Sequence, residues 1–394
     1  MAVSLDRPAL RTRSFVPVFV LAMVGCATRP VQHVAPPPDC VSAEAAAGTT
    51  ARDAPVSDHE RESLPRAPQA STASGAGAGD ADFSEVAYPF PVLYRSFQAQ
   101  GLSLRMAYMD VSPPAGAHAT VVLLHGKNFS GAYWEATARA LVAAGFRVVM
   151  PDQIGFGRSS KPTAYQYSFQ ALAAQTAELL DGLGVGSAHV VGHSMGGMLA
   201  ARYALMYPKR TLSLVLVNPI GLEDYRQKVP YPGVDGWAAD ERSKDLDDVR
   251  EYMKQSYFAG EWKPEYEPLL AIQRASLASP AWPELALVSA KLYDMILTQP
   301  VVEELPQLRV PTLLIIGQRD RTAVGKAWAA SGVRETLGDY PRLGREAARA
   351  IPKAKLVELP GLGHLPQFEG PSVTHAALLD FVCQASTCRR PDSG

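Results

Sequence analysis

Gly192-His193-Ser194-Met195-Gly196-Gly197 decides how this chain is read. The stretch sets one serine among small residues, directly after a β-type run and directly before a helical one. Upstream, Ala188-His189-Val190-Val191 has the length and apolar content of a buried strand. Downstream, Met198 to Ala204 reads as a helix that stops near Pro208. Ser194 is therefore expected at the apex of a tight strand-to-helix turn. A side chain at Gly192 or Gly196 would collide with the neighbouring backbone, and glycine tolerates the unusual dihedrals such a turn demands.

A serine hydroxyl is a weak nucleophile until a histidine takes its proton and a carboxylate orients that histidine. Candidates for both lie further along the chain. Pro311-Thr312-Leu313-Leu314-Ile315-Ile316-Gly317 is a strand suited to a parallel sheet covered on both faces, and Asp320 follows it in a polar loop. Lys355 to Pro360 is a further strand candidate, followed by Gly361-Leu362-Gly363-His364. The chain order Ser194, Asp320, His364 differs from that of the other serine-triad folds.

From about Tyr88 to about Ala385 the sequence resembles the α/β-hydrolases. The Gly192–Gly197 segment resembles their nucleophile elbow. His125-Gly126, after the strand Thr120-Val121-Val122-Leu123-Leu124, resembles their oxyanion loop, and Pro151-Asp152-Gln153-Ile154-Gly155-Phe156-Gly157-Arg158-Ser159 resembles their turn after the next strand. The resemblance implies a mainly parallel, doubly wound sheet with a helical cap inserted after the sixth strand. It implies Ser194, Asp320 and His364 as a triad, and the backbone N–H groups of Lys127 and Met195 as the oxyanion hole, with Asn128 as the next donor. Because some relatives carry the acid after an earlier strand, Asp224, which follows Leu214–Asn218, is the alternative acid. His125, His189 and His193 are expected in structural roles. The stretch from Asp320 to His364 is long for the family, so an inserted helix or loop is expected there.

Strand-like runs near 102–111, 119–125, 147–152, 188–192, 212–218, 311–317 and 355–360 alternate with helical stretches, the pattern of an α/β sheet. The core is read as 86–221 plus 307–386, about 300 residues, enough for one large hydrophobic core. Residues 222–306 break the rhythm. They read as helix rich in aromatic side chains, including Trp237, Tyr252, Tyr257, Trp282 and Tyr293, and are expected to form the cap, with some of these rings lining an apolar pocket.

At the N-terminus, Arg7, Arg11 and Arg13 precede the apolar run Phe15–Val24, which ends at Gly25-Cys26-Ala27. About ten apolar residues do not cross a ~30 Å bilayer core. The pattern resembles a bacterial lipoprotein signal, residues 1–25, cleaved before a lipidated Cys26. Residues 26–85 are rich in Ala, Pro, Gly and Ser and read as a tether that cannot bury enough surface to fold; residues 387–394 form a C-terminal tail. Such a protein would be exported to the cell envelope, on the periplasmic face of the outer membrane, with the lipid bilayer as its anchoring partner. An oxidising periplasm would permit a Cys383–Cys388 bridge.

The chain's 394 residues carry a formal net charge of −1, which gives no basis for nucleic-acid binding. The sequence contains no zinc-site spacing and no phosphate loop, and serine-based acyl transfer needs neither a metal nor an organic cofactor. Serine at the elbow, where alkyl-enzyme chemistry needs a carboxylate, favours acyl transfer. The leading substrate is a carboxylic ester with small to medium apolar groups. The alternatives are an amide or peptide, as in proline-iminopeptidase-like relatives, for which Glu223, Asp224 or Asp235 would bind the amine, and a carbon–carbon bond. An intact triad argues against a non-catalytic, lipid-anchored binding protein.

Overall fold

A computed structural model describes residues 81–387. Eight strands form one sheet in the order β1-β2-β4-β3-β5-β6-β7-β8. They are β1 (Leu93–Ala99), β2 (Leu102–Val111), β3 (Thr120–Leu124), β4 (Arg147–Pro151), β5 (Ala188–His193), β6 (Thr211–Val217), β7 (Thr312–Gly317) and β8 (Ala354–Leu359). β1 pairs antiparallel with β2, and β2 with β4; from β4 to β8 every pairing is parallel.

The parallel strands are buried on both faces because consecutive side chains serve different layers. Val121, Leu123, Val191, Val215 and Ile315 point to one core with Ala138 and Leu141 of α1 (Glu135–Ala143) and Leu378 and Phe381 of α11 (Pro371–Thr387). Val122, Leu124, Val190, Leu214 and Ile316 point to the other. There they meet Leu172 of α2 (Phe169–Gly182), Leu199 and Tyr203 of α3 (Met195–Met206) and Leu343 of α9 (Tyr340–Ala350). A slip of one residue would exchange the two faces of a strand, but both are apolar; register is held by the connections and by the polar residues at strand ends.

β1 does not figure among the strands expected from sequence. Its residues LYRSFQA lie largely exposed at the sheet edge, so apolar patterning is weak. What forms it is the turn to β2, in which Gln100 and Gly101 both adopt positive φ (54° and 75°), the two-residue geometry that matches strand twist. With β1 counted, β6 is the sixth strand.

Between β6 and β7 the chain leaves the sheet for α4 (Gly233–Ser243), α5 (Leu246–Tyr257), α6 (Ala271–Ala278) and α7 (Trp282–Thr298), with 3₁₀ turns between them and no strand among these described residues. α5 begins with a capping box in which Asp245 and Asp248 each accept the other's backbone N–H. After β7, the stretch up to His364 holds a short α8 (Ser331–Arg334) and α9, which is the ordinary crossover to β8. Residues 321–339, between β7 and α9, carry α8 and a 3₁₀ turn at Lys326–Trp328. The chain closes with α10 (Pro366–Glu369) and α11.

Among the described residues, no helix is long and apolar enough to cross a membrane and no cluster of side chains could hold a metal ion. The signal-like segment, Cys26 and the tether up to residue 80 lie outside the described residues, as does Cys388. Cys383 is disulfide-bonded.

Candidate active site

β5 runs straight into the turn expected from sequence. Ser194 sits at its apex with φ 56° and ψ −122°, a conformation that costs an L-residue energy and persists only when its surroundings impose it. They do so from both sides. The Ser194 N–H donates to the Val217 carbonyl at 3.2 Å, and its carbonyl accepts from Gly197 at 2.9 Å and Ile220 at 3.2 Å. A Cβ at Gly192 would overlap the Gly196 carbonyl, and one at Gly196 would overlap the Leu124 carbonyl at the end of β3. The glycines are there because α3 starts in contact with two strand ends.

Ser194 Oγ lies 2.9 Å from Nε2 of His364, whose Nδ1 lies 2.6 Å from Oδ2 of Asp320. A carboxylate only accepts, so Nδ1 carries the hydrogen and Nε2 is left as acceptor for the serine hydroxyl. His364 and Asp320 are fully buried, and Ser194 is 5% exposed. The Asp320 carboxylate is held by two further donors: Asn218 Nδ2 at 2.7 Å on Oδ2 and the Thr322 N–H at 2.8 Å on Oδ1. Asn218 in turn accepts the Gly317 N–H through Oδ1 at 2.9 Å, which clamps the ends of β6 and β7 together beneath the acid. Asp224 is elsewhere occupied. Its carboxylate receives Arg226 Nε and Nη2 at 2.9 and 2.8 Å and Gln227 at 3.0 Å, and it does not meet His364; the Arg226 guanidinium holds it below the usual carboxylate range.

Gly126 backs directly onto the serine, since a Cβ there would lie 3.2 Å from Ser194 Cβ. Residues 126–129 form a turn closed by Phe129 N–H to the Gly126 carbonyl at 3.2 Å, which leaves the Lys127 N–H outside the turn's own bond. Met195 is the first residue of α3, so its N–H has no acceptor in the helix ladder. The loop is fixed from behind. His125 contacts the Gly126 carbonyl through Nδ1 (2.9 Å), and its Nε2 accepts the Gln153 N–H at 3.0 Å. Asp152, in the turn after β4, accepts from Tyr88 Oη and from the N–H groups of Gly131 and Arg158 at 2.6, 2.7 and 2.8 Å.

The other histidines are tied into the frame. His193 reaches the His364 carbonyl through Nε2 at 2.8 Å, so that nitrogen carries the hydrogen and Nδ1 accepts from Tyr133 Oη at 2.9 Å. Burial and the neighbouring His364 push its pKa well below the ordinary histidine value, and it is neutral. His189 bridges Ser213 and Ser386 at 2.8 and 3.0 Å.

The cap covers the histidine. Tyr257, the last residue of α5, accepts the His364 N–H through its carbonyl, and its hydroxyl receives Asn128 Nδ2 at 2.9 Å. Beside it, a cavity of about 180 Å³ is walled by Trp237, Tyr252, Trp282 and Tyr293 of the cap, by Asn128, and by Ala323–Trp328 of the loop after β7. Asn218 and Trp328 have no part in the sequence expectations, and Tyr257, expected among the cap aromatics, has no expected contact with His364. The sequence signal at Asn218 is an amide closing an otherwise apolar strand, and in the structure it adopts positive φ (38°); the other two carry none beyond being aromatic.

A model of the alpha/beta hydrolase fold matches residues 119–371, well over half of the chain. This chain is a member of the α/β-hydrolase family. Lipase 1 of Psychrobacter immobilis is 28% identical over 269 residues, covering 67% of this chain and 76% of that protein. Lipase 3 of a Moraxella species is 29% identical over 253 residues, covering 63% and 72%. Among solved structures, a probable hydrolytic enzyme from Pseudomonas aeruginosa PAO1 superposes with a TM-score of 0.75 at 49% identity, covering 76% of this chain and 96% of that one. This α/β-hydrolase is therefore lipase- and esterase-like in its relatives, with an eight-stranded, mostly parallel sheet as its scaffold.

Proposed function

We propose that this α/β-hydrolase cleaves carboxylic esters with small to medium apolar groups through an acyl-enzyme on Ser194. The observation that carries the reading is the unbroken run of hydrogen bonds from Ser194 Oγ through both nitrogens of His364 to Asp320. His364 Nε2 takes the hydroxyl proton as Oγ attacks the ester carbonyl, and Asp320 stabilises the imidazolium that forms. The N–H groups of Met195 and Lys127 receive the developing oxyanion, each such donor being worth about 3 kcal/mol of barrier. His364 then protonates the leaving alcohol, and a water activated at Nε2 releases the acid. The lipase relatives support ester as the bond.

Of the acids considered for binding a peptide's amine, Glu223 is paired with Lys228 at 2.6 Å and accepts the Gly338 N–H, and Asp224 is held by Arg226, which favours the ester reading; Asp235 is exposed.

Hydrolysis of p-nitrophenyl esters from acetate to palmitate, by the wild type, Ser194→Ala and His364→Ala, tests the proposal. Loss of about 10³-fold or more in kcat in both variants is expected; equal activity in wild type and Ser194→Ala overturns it.

The basic, apolar and cysteine pattern of residues 7–26 supports a second proposal, that the chain is exported and anchored to the envelope by lipid on Cys26. Metabolic labelling with an alkynyl palmitate should mark the wild type and spare Cys26→Ser; labelling of both overturns it.

A further inference from the structure

The side chain of Lys127 turns away from the serine and enters the cap. Its Nζ donates to Ser289 Oγ of α7 at 2.8 Å, lies 3.5 Å from the centre of the Tyr293 ring on the same helix, and stands 3.8 Å from Glu241 Oε2 of α4. Ser289 donates onward to Glu241, and Lys244 grips the other Glu241 oxygen at 2.7 Å while pairing with Asp240 at 2.6 Å. The side chains of Lys127 and Glu241 are only 10% and 9% exposed. A buried ammonium is costly unless paired. This one spans the boundary between core and cap, at the residue whose backbone N–H is proposed above as an oxyanion donor.

We propose that Lys127 is a positioning residue, its side chain a strap from the oxyanion loop to Glu241, Ser289 and Tyr293 of the cap that fixes the direction of its own backbone N–H. The proposal rests on the reading of Ser194 as the nucleophile. It makes the transition state, rather than substrate affinity, depend on a cap contact. The groups facing Nζ are Glu241 and Asp240 from α4, Lys244 just after it, and Tyr293 from α7; Lys161, across the neighbouring cavity, is turned to the Ala81 and Ser159 carbonyls. Burial lowers Lys127 to a pKa of about 8, against the pull of Glu241 in the other direction, so the strap loses its charge in mildly alkaline solution.

The test is the rate at which a fluorophosphonate labels Ser194, which needs the nucleophile and the oxyanion hole but no particular ester, measured beside kcat and KM on p-nitrophenyl butyrate. Lys127→Met, with folding checked by circular dichroism, should label and turn over 10- to 100-fold more slowly with KM changed less than threefold. The wild-type rate should fall above pH about 8, and the Lys127→Met rate should not. Labelling of Lys127→Met at the wild-type rate, a change in KM alone, or an unaltered alkaline fall overturns the strap. If Lys127→Met does not fold, Ser289→Ala takes its place, with a 3- to 10-fold loss expected and no loss overturning the proposal. A wild type that is not labelled at all removes the nucleophile reading, and the strap with it.

Discussion

The ring of Tyr257 lies over the imidazole of His364, 4.5 Å between centroids and inclined by 31°. The cap thus holds the proton carrier by its plane as well as by the backbone bond to its N–H. Tyr257→Phe keeps the ring and loses the bond to Asn128; kcat should fall less than about fivefold. Tyr257→Ala should lower kcat by about 10- to 100-fold through a loosened imidazole. Steady-state kinetics on one short ester separates the two, and equal effects would show that the hydroxyl rather than the ring is what matters.

Asp320 is held by Asn218 and Thr322 as well as by His364. Asp320→Asn should reduce kcat by about 10³- to 10⁴-fold, because an amide favours the wrong imidazole tautomer. Asn218→Ala should cost about tenfold and also lower stability, since the Gly317 N–H loses its acceptor. Full activity in Asp320→Asn would move the acid to another carboxylate.

The elbow glycines are steric necessities. Gly192→Ala places a methyl against the Gly196 carbonyl, which can move only by shifting α3, and should cost about 3 kcal/mol or more or prevent folding. Gly186→Ala, with open space around its Cβ, should change stability by less than about 0.5 kcal/mol. Urea unfolding of both variants checks the contrast.

Lys127 binds its proton less tightly when folded than when unfolded, at a pKa of about 8 instead of 10.5. Between those values the unfolded chain holds more protons, so this residue's contribution to stability rises with pH across the window and is most unfavourable below pH 8. The stability of Lys127→Met relative to wild type should therefore be highest near pH 7 and fall by about 3 kcal/mol between pH 7 and pH 10.5. A Tm difference that is constant over that range would show that the ammonium is not desolvated in the folded protein.

The Cys383 disulfide should map to Cys388 on non-reducing peptide mass spectrometry, and its removal should cost about 2 kcal/mol, as befits a small loop. Pairing with Cys40 would instead tie the tether to α11.

The parts of this molecule legible in the sequence are those in which one residue type has few alternatives. Gly192 and Gly196 declare the elbow because no side chain fits, and β3, β5, β6 and β7 declare themselves because a strand covered on both faces must be apolar throughout. His364 is legible from its place after the last strand. The pairing of Asp320 rather than Asp224 with His364 depends on where the ends of β6 and β7 lie in space, which no local pattern encodes. β1 is obscured by its exposed edge, and Tyr257 and Trp328 by chemistry that serves core packing and site lining equally well. The burial of the Lys127 side chain against Glu241 comes from an α4 that is distant in sequence.

One short segment does two jobs. Thr322 holds the carboxylate of Asp320, and the next six residues, Ala323 to Trp328, wall the aromatic cavity. A ligand too wide for that cavity presses on the same peptide that keeps the acid in line, so bulk at one end is felt as misalignment at the other. For anyone reshaping substrate choice, residues 321–328 are a cassette to be exchanged whole with Asp320 kept, and point changes at Trp328 are confined to rings of similar size.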